Sequence, residues 1–433
     1  MPDRPRPAAA PGPVLAAYLG LSALVFPPLA PLVLRRRLAR GKEIPGRWRE
    51  KLGHASAPRP DGPLVWMHAV GLGEVLALRG LVARLHARRP DAQVLITSTT
   101  RASARVLEAN MPAGCRHQFL PLDTPGAARR FLDHWRPDLC VWAEQDMWPG
   151  LAWRAARRGI PLAQVGARMN ARAYRARARA AWLFRDLYAR FALVSAQDAD
   201  TAAHLRRLGA RKVRIDGSLK PAAPPLAADA DALAALRRAT AGRALWLAAS
   251  THAEDEPLAL AAHRMRLVRD PDALLVVAPR DPARGDDIAR ACADAGLAAQ
   301  LRSTRATPDA ATHVYIADTF GEMGLWYRMA PAAFIGGTTG PVEGHNPWEA
   351  AQLGAAILHG PRVANFAADF AALHDAGAAR EIADAAALCA VLDAPETADM
   401  AAHARALCER GMDRIDALCQ GLADLIQTPA HTP

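Results

Sequence analysis

Residues 64–85 read LVWMHAVGLGEVLALRGLVARL, and the period changes partway through them. LVWMHAV (64–70) is a short apolar run, the pattern of a strand buried on both faces. Gly71-Leu72-Gly73 turns the chain. Glu74 then opens a helix whose apolar Val75, Leu76, Leu78, Leu81, Val82 and Leu85 recur at helical spacing.

The alternation continues outward from there. QVLITSTT (93–100), FLPLD (119–123), DLCVWAE (138–144), PLAQVGAR (161–168) and FALVSAQ (191–197) read as strands, with a further one over 215–220. A break follows at KPAAPPL (220–226). The pattern restarts with ALWLAAST (244–251), LLVVAPR (274–280), HVYIADT (313–319), AAFIGGT (333–339) and AAILHGP (355–361). Strands alternating with helices predict an α/β protein with parallel sheets, here two doubly wound domains joined near 221–228 and followed by a helical C-terminal tail. A length of 433 residues suits two or three domains. Ligands in such sheets bind beyond the carboxyl ends of the strands, so the active site is expected in a cleft between two facing domains.

Val14–Leu34 carries no charge and is long enough to cross a bilayer. Arg35, Arg36, Arg37, Arg40 and Lys42 follow at once, which predicts a membrane anchor with the rest of the chain on the cytoplasmic side. Pro27, Pro28 and Pro31 are expected to break the helix there and leave its second half in the interface. The alternative is a buried N-terminal helix. Residues 35–220 have a net charge of +20 and residues 221–433 one of −10, within a total of +11. The basic half should meet something polyanionic. No zinc finger, RNP-like aromatic pattern or basic helix-turn-helix is present, so nucleic acid is not the expected partner. The densest basic run, Arg168–Arg190, reads as a solvated helix face or a contact for lipid phosphates. The six cysteines are scattered without a CxxC, which argues against a zinc ribbon or a disulfide scaffold.

The strand ends carry the candidate chemistry. Glu74, Glu144 and Lys220 follow the strands at 64–70, 138–144 and 215–220. A carboxylate in a first helical turn also serves the helix dipole, so Glu74 alone is weak evidence. The second half offers Pro279-Arg280, Gly321-Glu322-Met323 and GGTTGPVEGHNPWE (336–349), where glycines before a helix suit phosphate and a carboxylate suits ribose hydroxyls. No GxxxxGKS or GxGxxG motif occurs, which argues against an ATPase and a dinucleotide dehydrogenase. No His/Cys/Asp cluster has metal-ligand spacing, so no metal and no cofactor are expected. His345 reads equally as a structural histidine. Glu43 and Arg47 read as anchors of the first helix to the membrane surface rather than as catalytic groups, and Trp148 and Trp348 as packing.

Taken in order, these stretches resemble the 3-deoxy-D-manno-octulosonic acid (Kdo) transferases. The resemblance is carried by GKEIPGRWREKLGH (41–54), WMHAVGLGE (66–74), AEQDMWPGL (143–151), NAR (170–172) and LGARKVRIDGSLK (208–220). It continues through AASTHAEDE (248–256), APRDPAR (278–284), DTFGEMGLWY (318–327), FIGGTTGPVEGHNPWEAA (334–351) and HGPRVANF (359–366). It implies a GT-B glycosyltransferase of two Rossmann-like domains facing a cleft, anchored by an N-terminal helix at the cytoplasmic face of the inner membrane. The implied reaction moves Kdo from CMP-Kdo to a tetraacylated lipid A precursor in lipopolysaccharide synthesis. The expected division is 1–34 anchor, 35–222 acceptor-binding domain, 223–398 CMP-Kdo-binding domain and 399–433 helical tail.

Carried over by position, Glu74 matches the family's general base, and Glu144 and Lys220 match transition-state stabilisers. Pro279, Arg280, Gly321, Glu322, Met323, Asn346, Pro347, Trp348 and Glu349 match its CMP-binding segments. Four positions depart from the pattern: Gly71 for serine, Asp146 in the ExE-type motif, Asp281 in the PRH motif, and Glu343 in the glycine pair before His345. Asp281 and Glu343 add negative charge near an anionic donor. Two other functions remain open on this reading: another GT-B nucleotide-sugar transferase with a lipid acceptor, or a non-catalytic membrane-bound nucleotide-binding protein.

Overall fold

The computed structural model describes residues 10–426 except 71, 113, 145, 146, 305 and 306; the side chains of 72–76, 106, 109, 110 and 222 also lie outside it. The backbone divides into two compact units. One holds the described residues up to Ala223 together with those from Gly411 on, and the other is Pro224–Arg410.

The first unit is built on seven parallel strands: β1 (Leu64–His68), β2 (Gln93–Ser98), β3 (Cys115–Phe119), β4 (Leu139–Ala143), β5 (Leu162–Ala167), β6 (Phe191–Ala196) and β7 (Val213–Ile215). Their order is β3-β2-β1-β4-β5-β6-β7. Every residue of β1 is buried. Period-two alternation sends Leu64 and Trp66 into one core and Val65 and Met67 into the other. The second core also takes Leu78, Leu81 and Leu85 from α2 (Leu72–Arg88) and Ile415, Leu418 and Leu422 from the C-terminal helix Glu396–Leu425.

The second unit repeats the plan with β8 (Leu245–Thr251), β9 (Leu274–Pro279), β10 (Ala299–Leu301), β11 (Val314–Ile316), β12 (Ala332–Ile335), β13 (Ala356–His359) and β14 (Ala379–Glu381). All pairs are parallel and the order is β10-β11-β9-β8-β12-β13-β14. Trp246 and Ala248 of β8 face one core, and Leu245, Leu247 and Ala249 the other. The C-terminal helix contributes Ala404 and Cys408 to the latter core before it continues into the first unit.

Three expectations are corrected. The strand read at 119–123 lies instead at Cys115–Phe119, because the Leu120 amide is the last on β2, at the Ser98 carbonyl (2.9 Å), and the next ladder amide, Leu122, donates to the Lys51 carbonyl (2.8 Å) instead. The strand read at 215–220 ends at Ile215, and Gly217 (φ 84°) turns the chain away. The N-terminal helix, α1 (Pro13–Ala39), runs unbroken through Pro27, Pro28 and Pro31. Proline's fixed φ is itself helical, and what it removes is a donor and some space in the preceding turn. The buried stripe Leu15, Leu19, Ser22, Ala30 and Leu34 lies on both sides of the prolines. Leu15 and Leu19 enter the core of the first unit, while Leu21, Leu24, Val25, Phe26, Leu29, Leu32 and Val33 stay exposed.

α1 is also held by polar contacts. The Gly12 amide donates to Asp186 Oδ2 (3.0 Å), and Glu43, fully buried, accepts from Arg37 Nε (2.6 Å) and Lys51 Nζ (2.7 Å). Arg47 instead bonds Glu50 and the carbonyl of His117. Tyr18 donates to Asp123 Oδ2 (2.7 Å), which also accepts the Gly150 amide (2.7 Å). Burial pushes the Asp123 carboxyl up, against the pull of these two donors. Tyr18→Phe therefore leaves a buried carboxylate short of one donor, a loss of about 1–3 kcal/mol. A thermal melt should show a lower Tm for the variant. Burial already raises this carboxyl and the lost donor raises it further, so the deficit should widen as pH rises through the wild type's folded value, which lies above the ordinary aspartate value of about 3.9.

Candidate active site

In a doubly wound sheet, the crevice for a ligand opens where the strand order reverses. In the first unit that point lies between β1 and β4. β1 leads into α2, and Glu74 stands in its first turn. The side chain of Glu74 lies outside the described residues, as do Gly71 and Asp146. Glu144 directly follows β4, half-buried, with φ at 51°. Its backbone is fixed from both sides: its amide donates to the Val165 carbonyl (2.9 Å), and its carbonyl accepts Gln164 Nε2 (2.7 Å). A non-glycine residue in the left-handed region costs of order 1–3 kcal/mol, a strain that clusters at functional sites. The two carboxylates singled out in the sequence thus follow the two strands that flank one switch point.

Lys220 arrives from the far edge of the sheet, after β7, in the short turn Lys220–Ala222. That turn packs against α2, and Leu219 shares a core with Ala77 and Leu78. Lys220 is half-buried.

In the second unit the switch point lies between β8 and β12. Ser250 has φ 54°, and the β8–β9 register shifts around it. Gly336 follows β12; a Cβ there would stand 2.4 Å from the Ser250 carbonyl oxygen. Asp255, fully buried, ties the two loops together. It accepts the amides of His252 (2.8 Å) and Gly337 (2.7 Å) and the hydroxyl of Thr339 (2.6 Å). Above it, His252 Nε2 and His345 Nε2 lie 2.8 Å apart with their rings nearly parallel. Burial, then His252 and Arg280, lowers the His345 imidazole to about 4, against the pull of Asp255.

The predicted nucleotide residues stand in the segments that follow β9, β11 and β12. Pro279 ends β9 and Arg280 is exposed beyond it, its amide on the Thr251 carbonyl (2.9 Å). Asn346 Nδ2 donates to Glu349 Oε1 (3.3 Å), and Asn346 Oδ1 accepts the Trp348 amide (3.2 Å). Burial raises the Glu349 carboxyl, while Asn346 and Arg280 pull it down. Pro347 and Trp348 open the helix Trp348–Gln352, and Trp348 Nε1 donates to Asp369 (2.7 Å) in the core. Gly321 (φ 85°), Glu322 and Met323 start the next helix beyond β11. Glu322 is gripped by Arg302 (2.7 and 3.0 Å), which holds its carboxyl below the usual range. Asp281 caps the turn Pro282–Arg284, and Glu343 (φ 64°) pairs with Arg362, so both departures have local partners. Sequence reasoning passed over His252 and Asp255. AASTHAEDE was legible as a motif, but the contact with His345, 93 residues on, is visible only in the fold.

Two doubly wound units of seven parallel strands each make the GT-B fold. A crystal structure of a glycosyltransferase from Rickettsia africae shares the fold at a TM-score of 0.52 and 9% identity, over 86% of this chain and 100% of that one. Residues 46–223 match the family described as 3-deoxy-D-manno-octulosonic-acid transferase (kdotransferase). The chain belongs to that family: it is 34% identical to a probable mitochondrial 3-deoxy-D-manno-octulosonic acid transferase of Arabidopsis thaliana over 78% of each chain. It is likewise 34% identical to the 3-deoxy-D-manno-octulosonic acid transferase of Bordetella pertussis, over 80% of this chain and 84% of that one.

Proposed function

We propose that this Kdo transferase moves Kdo from CMP-Kdo to a tetraacylated lipid A precursor in lipopolysaccharide assembly, at the cytoplasmic face of the inner membrane. Glu74 takes the proton of the acceptor hydroxyl, whose oxygen attacks the anomeric carbon as the bond to the CMP phosphate breaks. One displacement inverts that carbon. Lys220 supplies positive charge for the leaving phosphate, without a metal ion. Glu144 faces the positive charge that builds on the sugar. The first unit takes the acceptor, and the second takes CMP through Arg280, Glu322 and the Asn346–Glu349 segment.

The observation that carries this reading is the placement of Glu74 and Glu144 after the two strands of one switch point, in a chain of this family. The exposed apolar face of α1, Trp182 at 72% exposure and the basic run over 168–190 support a membrane-seated first unit. The test is transfer by the full chain in detergent, with the product weighed by mass spectrometry. CMP-Kdo with the tetraacylated precursor should give a product heavier by one or more Kdo units, unchanged by EDTA, and UDP-sugars should give none. A folded enzyme that binds CMP and transfers nothing would overturn the reading.

A further inference from the structure

The His252–His345 pair sits at the switch point of the second unit, and nothing in the carried-over roles uses it. Both residues are half-buried, so part of each is exposed. The 2.8 Å contact between their Nε2 atoms is a hydrogen bond, so only one of the two nitrogens carries hydrogen there. The pair can accept one added proton and keep that bond, as an imidazolium donating to an imidazole. A second proton would set two N–H groups against each other. Their surroundings are mixed: Asp255 bonds the His252 amide, Arg280 acts on both His345 and Glu349, Glu254 packs at Gly340, and Glu343 is already paired with Arg362.

We infer that His252 and His345 form a proton-sharing clamp for an oxyanion of the donor, and that donor binding is coupled to uptake of one proton by the pair. This rests on the second unit being the nucleotide-sugar side. His345 is neutral near pH 7, because burial, His252 and Arg280 disfavour its charged form. An oxyanion brought against the rings favours that charged form, and the imidazolium then grips it with a charge-assisted hydrogen bond. Affinity should therefore tighten as pH falls below 7, by up to about tenfold per unit. The oxyanion is either the phosphate or the sugar carboxylate.

Calorimetry of CMP binding at pH 6.5, in two buffers of different ionisation enthalpy, reads the proton uptake directly. Wild type should take up more protons than His252→Gln or His345→Gln, in which the amide can hydrogen-bond but does not titrate. The CMP phosphate ionises near pH 6 itself and contributes equally to all three, so the difference is the readout. Far-UV circular dichroism and melting confirm that each variant is folded. Extra uptake with CMP assigns the clamp to phosphate. Extra uptake with CMP-Kdo but not CMP assigns it to the carboxylate, and cytidine should show none. CMP and CMP-Kdo binding with equal proton exchange in wild type and variants would overturn the clamp and leave the nucleotide reading standing. No binding of either ligand would overturn both.

Discussion

Glu74→Gln is expected to cut kcat for Kdo transfer by about 10²–10⁴-fold, the usual worth of a positioned general base. The substitution keeps the shape and removes only the ability to accept the proton. CMP should still bind, because the residues proposed for it belong to the second unit. The measurement is single-turnover transfer with both substrates saturating, so that a change in binding does not mimic a change in chemistry. A variant that transfers at the wild-type rate would remove Glu74 from the mechanism. It would turn attention to Glu144, which follows the neighbouring strand across the same switch point. A loss in kcat with unchanged KM for both substrates is the signature of a group needed only in the transition state.

Gly336→Ala is expected to weaken donor binding on the order of 10²-fold. Its Cβ would lie 2.4 Å from the Ser250 carbonyl oxygen and 2.7 Å from the Thr251 Cα, both backbone atoms with no side-chain freedom to yield. β8 and β12 are hydrogen-bonded neighbours here, and the Gly336 amide itself donates to the Ala249 carbonyl (2.8 Å). Relief requires the loops to part, which displaces His252, Asp255 and the Gly337 turn together. Overpacking of this kind costs typically 1–3 kcal/mol in stability. A displacement of about 1 Å at a positioned group costs on the order of 10²-fold in function. CMP affinity measured by calorimetry should fall accordingly, with a lower Tm in the same protein. Wild-type affinity in the alanine variant would mean that the loops at this switch point do not hold the nucleotide.

The parts of the fold that were legible in the sequence are those where burial writes a simple pattern. β1, β4, β5, β8 and β9 are covered on both faces, so they appear as apolar runs bounded by turns. β10 (AQL) and β14 (ARE) are three-residue edge strands without a buried face, and composition does not mark them. β3 (CRHQF) is polar because its His117 and Gln118 bond Ser98, Arg47 and Trp135 instead of filling a core, so the reading slid to the apolar residues beyond it. The prolines of α1 were read by their local rule alone, whereas the stripe that holds the helix on the first unit spans them. For the site, each strand-end residue could be found singly. Which of them meet could not, since Lys220 reaches α2 through Leu219 packing, and His252 meets His345 only because β8 and β12 are neighbours.

The C-terminal helix adds a consequence for how the protein is made. Its Ile415, Leu418 and Leu422 complete a core whose other members include Leu78 and Leu81, more than three hundred residues earlier in synthesis. The ribosome therefore delivers the whole of Pro224–Arg410 before the first unit receives its last buried side chains. The half that begins first is the half that finishes last. Until then, the nascent chain carries both the apolar face of α1 and an uncovered patch on α2, a stage at which an early chaperone or early contact with a bilayer would be of most use to it.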